Sequence, residues 1–190
     1  MRMFVALRPP EAVVEHLDEC LAVRREAGRF RWTTAEQIHV TLAFLAEVPE
    51  RRLDDLVERL GRAARRRTPV TTRVAGGGAF PHPAGARVLW AGLGLDETAR
   101  TEVGRMATGA RAAATKAGIE VGGHRFRPHL TVARLGRPTE VTSWVRLLDG
   151  YEGPEWSTTT VSLVASHLGQ GPRNRPRHEV VGEFFVGRDG

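Results

Sequence analysis

The sequence predicts an α+β fold of two lobes, each built around a mostly antiparallel sheet. Three observations carry this expectation. Strand-like and helix-like segments follow one another in the order β-α-β-α-β-β-α-β-α-β-β, so strand–helix–strand units occur in both halves. A seven-residue phrase is written twice, HVTLAFL at 39–45 and HLTVARL at 129–135, one copy in each half. A chain of 190 residues with 41% hydrophobic content suffices for one well-cored domain, and not obviously for two independent ones.

Taken in order, MFVALR (3–8) reads as a short strand closed by Pro9 and Pro10. From Pro10 to Ala27, Val13, Val14, Leu17, Leu21 and Ala22 recur at helical spacing, with Gly28 as terminator and His16 on the solvent side. RWTTAEQIHVTLAFL is a polar turn feeding the strand that carries the first phrase. ERRLDDLVERLGRAARRR follows Pro49 as an amphipathic helix with Leu53, Leu56, Val57 and Leu60 on one face. Its final Arg-Arg-Arg is a solvated, dipole-favoured last turn, or alternatively a phosphate-binding patch.

TTRVAGGGAF and RVLWAGLGL form two strands around the loop PHPAGA, which holds His82. The triple glycine at 76–78 has no following Lys-Ser/Thr, so it reads as a bulge or close backbone approach and not as a phosphate loop. Asp96 to Ala117 is an alanine-rich helix ending at Gly118. FRPHLTVARL carries the second phrase on a strand, and Pro138 to Leu148 is a short helix. TTTVSLVASHL and HEVVGEFFV close the chain before a tail, 187–190, expected to fray.

The formal net charge is +6, almost all of it from arginine, since Lys116 is the only lysine. That balance fits a phosphate-rich partner, and equally an arginine-rich proteome. Cys20 is the only cysteine, which excludes an intrachain disulfide and a cysteine zinc site. The opening apolar run is too short for a signal peptide, and no stretch is long enough to span a bilayer. A soluble, cytoplasmic protein is expected, with no membrane association and no obligate protein partner.

His-x-Thr alone is weak, because a chain with this composition produces one by chance roughly once in every one or two sequences. The shared Ala and Leu that follow make the repeat a real signal. Strand alternation puts His39, Thr41, Ala43 and Leu45 on one face and Val40, Leu42 and Phe44 on the other. The second copy presents His129, Thr131, Ala133 and Leu135, with Arg134 behind. Each strand thus offers an imidazole and a hydroxyl roughly 6 to 7 Å apart at the backbone. Placed on opposed sheets, the two pairs meet the needs of in-line displacement at a phosphodiester. One neutral imidazole takes a proton from water, one imidazolium protonates the leaving oxygen, and the threonines hold phosphate oxygens. Neither metal nor other cofactor is required. Two satisfied structural histidines are the bland alternative.

These residues resemble the two-histidine phosphoesterases, and among them the RNA 2′,3′-cyclic phosphodiesterases (LigT-like, or 2′-5′ RNA ligase, family). The likeness rests on MRMFVALRPP, RWTTAEQIHVTLAFLAEVP, GAFPHP with RVLWAGL, FRPHLTVARL and SLVASHL, which together span almost the whole chain. It implies a bilobal LigT-like fold with pseudo-two-fold symmetry, outer helices and a central groove. One lobe is formed by both termini and the other by the middle of a single domain, 1–190. The implied reaction opens an RNA 2′,3′-cyclic phosphate to a 2′-phosphomonoester, with reversible 2′-5′ ligation as the reverse chemistry. His39 is the implied proton donor, His129 the proton acceptor, and Thr41 and Thr131 the phosphate ligands. Arg127, on the strand face of His129, is a further phosphate candidate.

Partners in this reading are RNAs with cyclic-phosphate ends, such as tRNA fragments, or small cyclic nucleotides. The alternatives are a non-catalytic basic RNA-binding module on the same scaffold, and a phosphodiesterase for cyclic nucleotides or 2′-5′ oligonucleotides. Trp32, Phe44 and Trp90 could stack a base but read first as packing. His178 stands where relatives carry a tyrosine, which leaves its role open, and His167 reads as packing.

Overall fold

In the computed structural model, which describes residues 1–188, the apolar run MFVAL forms β1 (Met3–Leu7), buried along its whole length. It is a central strand, with antiparallel partners on both sides, so its backbone N–H and C=O groups are paired along both edges. The chain continues as α1 (Glu11–Ala22), β2 (Arg31–Trp32), β3 (Val40–Leu45), α2 (Glu50–Arg65), β4 (Thr71–Phe80) and β5 (Ala86–Gly94). It ends with α3 (Glu97–Lys116), β6 (Leu130–Thr139), α4 (Thr142–Asp149), β7 (Trp156–Ser157), β8 (Thr160–His167) and β9 (Arg177–Phe185). Among the described residues, no helix is long and apolar enough to cross a membrane.

The eleven expected elements occur in the expected order, and the fold is α+β. Two very short strands, β2 and β7, were not expected, because a two-residue strand is defined by its partner and leaves no period to read. The first helical pattern stops at Ala22, and Arg25–Ala27 form a separate 3₁₀ turn before Gly28. Pro138 belongs to β6, which runs on to Thr139, so α4 starts later than the sequence suggested. Of the expected frayed tail, residues 189–190 lie outside the described residues, while the Gly187 N–H donates to the Ala64 carbonyl at 3.1 Å.

All nine strands join one curled antiparallel sheet in the order β7-β4-β5-β6-β3-β1-β8-β9, with β2 paired to β6. The two phrases therefore do not face each other from opposed sheets, as expected, but sit side by side. The halves meet at a single ladder pair, Val40 opposite Leu130, and both side chains are fully buried. Helices cover the outer face and are exchanged between the halves. The apolar side of α1, which follows β1, lies with Ile38 and with Val132 of β6, and His16 Nδ1 meets the Tyr151 hydroxyl at 2.7 Å. Helix α3, which follows β5, packs on β3 and on α2 in the other half.

The repeated phrase also repeats an irregularity. Val5 pairs with Ala43 and the next residue, Ala6, with Thr41, so Leu42 is bulged out of the β1–β3 ladder. Leu89 pairs with Ala133 and Trp90 with Thr131, so Val132 is bulged at the same place in the second copy. A bulge resets alternation. Leu42 and Ala43 are both buried, as are Val132 and Ala133, and Leu45 and Leu135 stay with the core. Phe44 and Arg134 are turned instead to the side of His39/Thr41 and His129/Thr131. The expected faces were thus right up to the threonines and reversed beyond them.

The triple glycine is both a bulge and a close approach. Gly76 has φ +74°, and pairing with β5 shifts between Val74 and Gly77. A Cβ on Gly78 would lie 2.2 Å from Cζ2 of Trp90, so the indole needs this glycine to lie flat against β4.

The bulge explains the shared alanine: two neighbouring side chains point into one core, and only a small one fits beside Leu42 or Val132. Ala43→Leu and Ala133→Leu are each expected to destabilise the fold by about 1–3 kcal/mol through overpacking. Urea unfolding midpoints of the two variants check this, and an unchanged midpoint would refute it.

Candidate active site

Because Val40 and Leu130 are paired antiparallel, the residues flanking them are brought across from one another: His39 from Thr131, and Thr41 from His129. These four line one groove of about 350 Å³, together with Phe4 from β1 and Phe44 from β3. All four side chains are half-buried.

Each imidazole is held in the same way. His39 Nδ1–H donates to the Gln37 carbonyl at 2.7 Å, and His129 Nδ1–H donates to the Arg127 carbonyl at 2.6 Å. A carbonyl oxygen only accepts, so the neutral rings carry their proton on Nδ1 and keep the Nε2 lone pair. His39 Nε2 lies 2.9 Å from Thr41 Oγ1 and accepts from that hydroxyl in the neutral form. The His39 ring stacks on Phe4 with centroids 4.4 Å apart. His129 packs against the Phe80 ring at 5.0 Å and the Trp90 ring at 6.0 Å. Aromatic walls thus fix both rings sideways while the carbonyls fix them in rotation.

The groove is cationic. Arg2, Arg31, Arg134 and Arg175 line it, and among the described residues no carboxylate does. Arg134 is a correction to the sequence reading, which placed it behind the His129/Thr131 face. The bulge at Val132 brings it round, and among the described residues it has no salt bridge. Burial is the main cause lowering the pKa of both histidines. It pushes His39 down to about 4, with the charges of His178, Arg134 and His129 adding to the effect. His129 is lowered less, again by burial first and then by Arg134. The backbone acceptors oppose the shift in both rings without cancelling it. Near neutral pH the protein therefore holds both imidazoles mostly uncharged.

Arg127 contributes through its main chain: its carbonyl orients His129, while its side chain is exposed and is not part of the groove lining. His178 does line the groove, its ring 5.9 Å from that of His39 and 5.0 Å from that of Phe4. His167 instead meets Glu179 at 2.8 Å, and His82 accepts from the Gly85 N–H in its own turn. Trp32 and Phe44 line the groove, whereas Trp90 lies under Gly78 beside His129. Sequence reading missed Arg2, Phe4, Arg31, Gln37 and Ser166 as groove residues. Arg2 and Phe4 were readable, since they alternate with the buried Met3 and Val5. Among the described residues, no group of three or more His, Cys, Asp or Glu could hold a metal ion.

A family model described as LigT like phosphoesterase matches residues 7–90 and 93–173, which include both His-x-Thr phrases. The chain belongs to the LigT-like phosphoesterase family. Among curated members of this family, an RNA 2′,3′-cyclic phosphodiesterase of Thermus thermophilus is 31% identical over 170 residues, covering 88% of this chain and 83% of its own. One of Archaeoglobus fulgidus is 33% identical over 147 residues, covering 77% and 80%. A Thermus thermophilus crystal structure superposes over 100% of both chains with a TM-score of 0.79 at 30% identity. Escherichia coli LigT complexed with 3′-AMP shares the fold, with a TM-score of 0.72 over 98% of both chains at 24% identity.

The depressed His39 pKa makes stability depend on pH. Between about 4 and 6.5 the unfolded chain binds a proton at this histidine that the folded chain does not, so stability is full above 6.5 and lost as pH falls toward 4. The expected loss is about 3 kcal/mol from this one ring. Urea titrations at the two pH limits should show it, and His39→Gln should flatten the difference; an equal slope in both proteins would refute the assignment. Arg134→Met removes a positive charge from both rings, so NMR titration should find the pKa of both His39 and His129 raised.

Proposed function

We propose that this chain hydrolyses RNA 2′,3′-cyclic phosphate ends to 2′-phosphomonoesters by acid–base catalysis without a metal. The observation that carries this is the pair of imidazoles, each locked by its own carbonyl with Nε2 turned free of it, on a groove with four arginines and, among the described residues, no lining carboxylate. A site built this way attracts an anion and offers it a proton donor and a proton acceptor.

In the reaction, His129 Nε2 takes a proton from water as its oxygen attacks phosphorus. The P–O3′ bond breaks, and the 3′ oxygen takes a proton from His39 Nε2–H. A 2′-phosphomonoester and a 3′-hydroxyl result, and proton exchange with water restores both rings. Thr41 and Thr131, with Arg134, bind the non-bridging oxygens, where a charge-assisted hydrogen bond is strongest. Along the same path a 5′-hydroxyl in place of water gives up its proton to His129 and attacks phosphorus, the P–O3′ bond breaks with a proton from His39, and a 2′-5′ linkage results without an energy cofactor. The order of donor and acceptor follows the likeness to the family. It requires the phosphate anion to restore the proton to His39, since that ring is the more strongly neutralised of the two. Adding a negative charge within a partly dry groove works in that direction.

Purified protein in excess EDTA is expected to open a defined cyclic-phosphate oligonucleotide, with mass spectrometry and 2′ and 3′ phosphate standards identifying the product. His39→Ala and His129→Ala should each lower the rate by roughly 100-fold or more. Full activity in either variant would sink the reading, and tight, salt-sensitive RNA binding without product would favour an RNA-binding module instead. For kcat/KM the pH profile should be a bell on the acid side of neutrality, with its lower flank near 4 and its upper flank below 6.5. For kcat the upper flank should move to higher pH.

A further inference from the structure

The groove does not end at the histidines. Past His39 and His178 it opens into a second cavity of about 540 Å³, and Phe4, Gln37, His39, Arg175, Pro176 and His178 line both spaces. The far part has Arg8, Arg173 and Arg177 on its walls against one carboxylate, Glu36, and apolar surface from Val164, Pro172 and Val180. The reaction proposed above uses none of the residues of this far part.

Its outer wall is the connection between β8 and β9, residues 168–176, which is tightly folded. The Gly171 N–H donates to the Arg175 carbonyl at 2.7 Å, and a Cβ on Gly171 would meet that same oxygen at 2.7 Å. Arg173 and Asn174 hold left-handed backbone, with φ 54° and 60°, a conformation that persists only where its surroundings impose it. Gln37 Nε2 donates to the Pro176 carbonyl at 2.7 Å, and Arg175 donates to the Trp32 carbonyl. Gln37 is also the residue whose carbonyl orients His39, so the loop and the catalytic ring hang on one side chain and its own backbone. On this braced loop Arg173 has no hydrogen bond or ion pair among the described residues. Arg177 stands 3.8 Å from Glu179 and Arg8 3.6 Å from Glu183, both pairs at the exposed rim. An uncommitted guanidinium on a braced loop beside an apolar wall suits a nucleotide, with phosphate on the arginine and base on the wall.

Chemistry sets which nucleotide. A 2′,3′-cyclic phosphate uses both the 2′ and the 3′ oxygen, so the strand leaves its last ribose only through the 5′ oxygen. We propose that the second cavity binds the nucleotide immediately 5′ of the cyclic end, its phosphate on Arg173 assisted by Arg177 and Arg8, and its base against Val164, Pro172 and Val180. The site then prefers strand ends to free cyclic mononucleotides. This rests on the hydrolase reading above.

The test compares a nucleoside 2′,3′-cyclic monophosphate with the matching dinucleotide carrying the same cyclic end, in the full chain and in an Arg173→Ala/Arg177→Ala double variant. For the unmodified chain, kcat/KM should rise roughly 10-fold or more on adding the second nucleotide. In the double variant that gain should shrink to about 3-fold or less, with the mononucleotide rate within about 2-fold of the original. Equal rates on the two substrates, or a double variant that loses both equally, would overturn the proposal and leave the hydrolase reading intact. A second measurement needs no turnover: anisotropy of a 5′-labelled dinucleotide ending in a 2′-phosphate, taken against salt. Weaker binding and a flatter salt dependence in the variant are expected. Should neither substrate turn over, the hydrolase reading fails, and anisotropy alone decides the cavity: unchanged affinity in the variant refutes it.

Discussion

One backbone contact organises the site: the ladder pair between Val40 and Leu130. Each of these residues follows a histidine and precedes a threonine, so a single antiparallel register sets four groove side chains at once. Neither side chain has any chemistry to offer, and both are fully buried. Their role is positional. A slip of one residue at this seam would turn one His/Thr face into the core, which is why aliphatic bulk in both copies matters as much as the polar residues it separates.

The same economy appears in how the imidazoles are tuned. Each ring is anchored by the carbonyl two residues before it, an acceptor that every chain supplies and that costs no additional side chain. That anchor leaves the Nε2 lone pair free of the backbone on both sides, so the two rings begin chemically alike. Differences come from surroundings: His39 lies under Phe4 with His178 and Arg134 nearby, while His129 meets Phe80 and Trp90 edge-on. A pseudo-symmetric scaffold thereby gives two unequal proton affinities from one repeated phrase.

Much of this was legible beforehand, and the illegible parts share a cause. Element order followed from periodicity, and the phrase HVTL/HLTV marked the four central residues, because both are local properties of the chain. The bulges at Leu42 and Val132 were not legible, since a bulge is a relation between two strands. Missing them reversed Ala43, Phe44 and Leu45 in the first copy and Ala133, Arg134 and Leu135 in the second. The single curled sheet was hidden for the same reason: its halves touch at one pair. Gln37 and His178 reach the site only through a loop fold and a distant strand, and nothing in their immediate sequence marks them. Arg2 and Phe4 are different, for simple alternation along β1 would have placed them.

The exchange of helices between the two halves carries one more consequence. Because α1 leaves one half to cover the other and α3 does the reverse, neither half can bury its apolar face alone. The groove lies on the seam between them, and two of the paired strands that line it, β1 and β8, are separated by most of the chain. Pairs so far apart in sequence carry a large loop-closure cost, which slows folding. The groove is therefore complete only in the fully assembled protein, and any partly opened form lacks one of its two histidines. An intact groove thus doubles as a readout of global cooperativity.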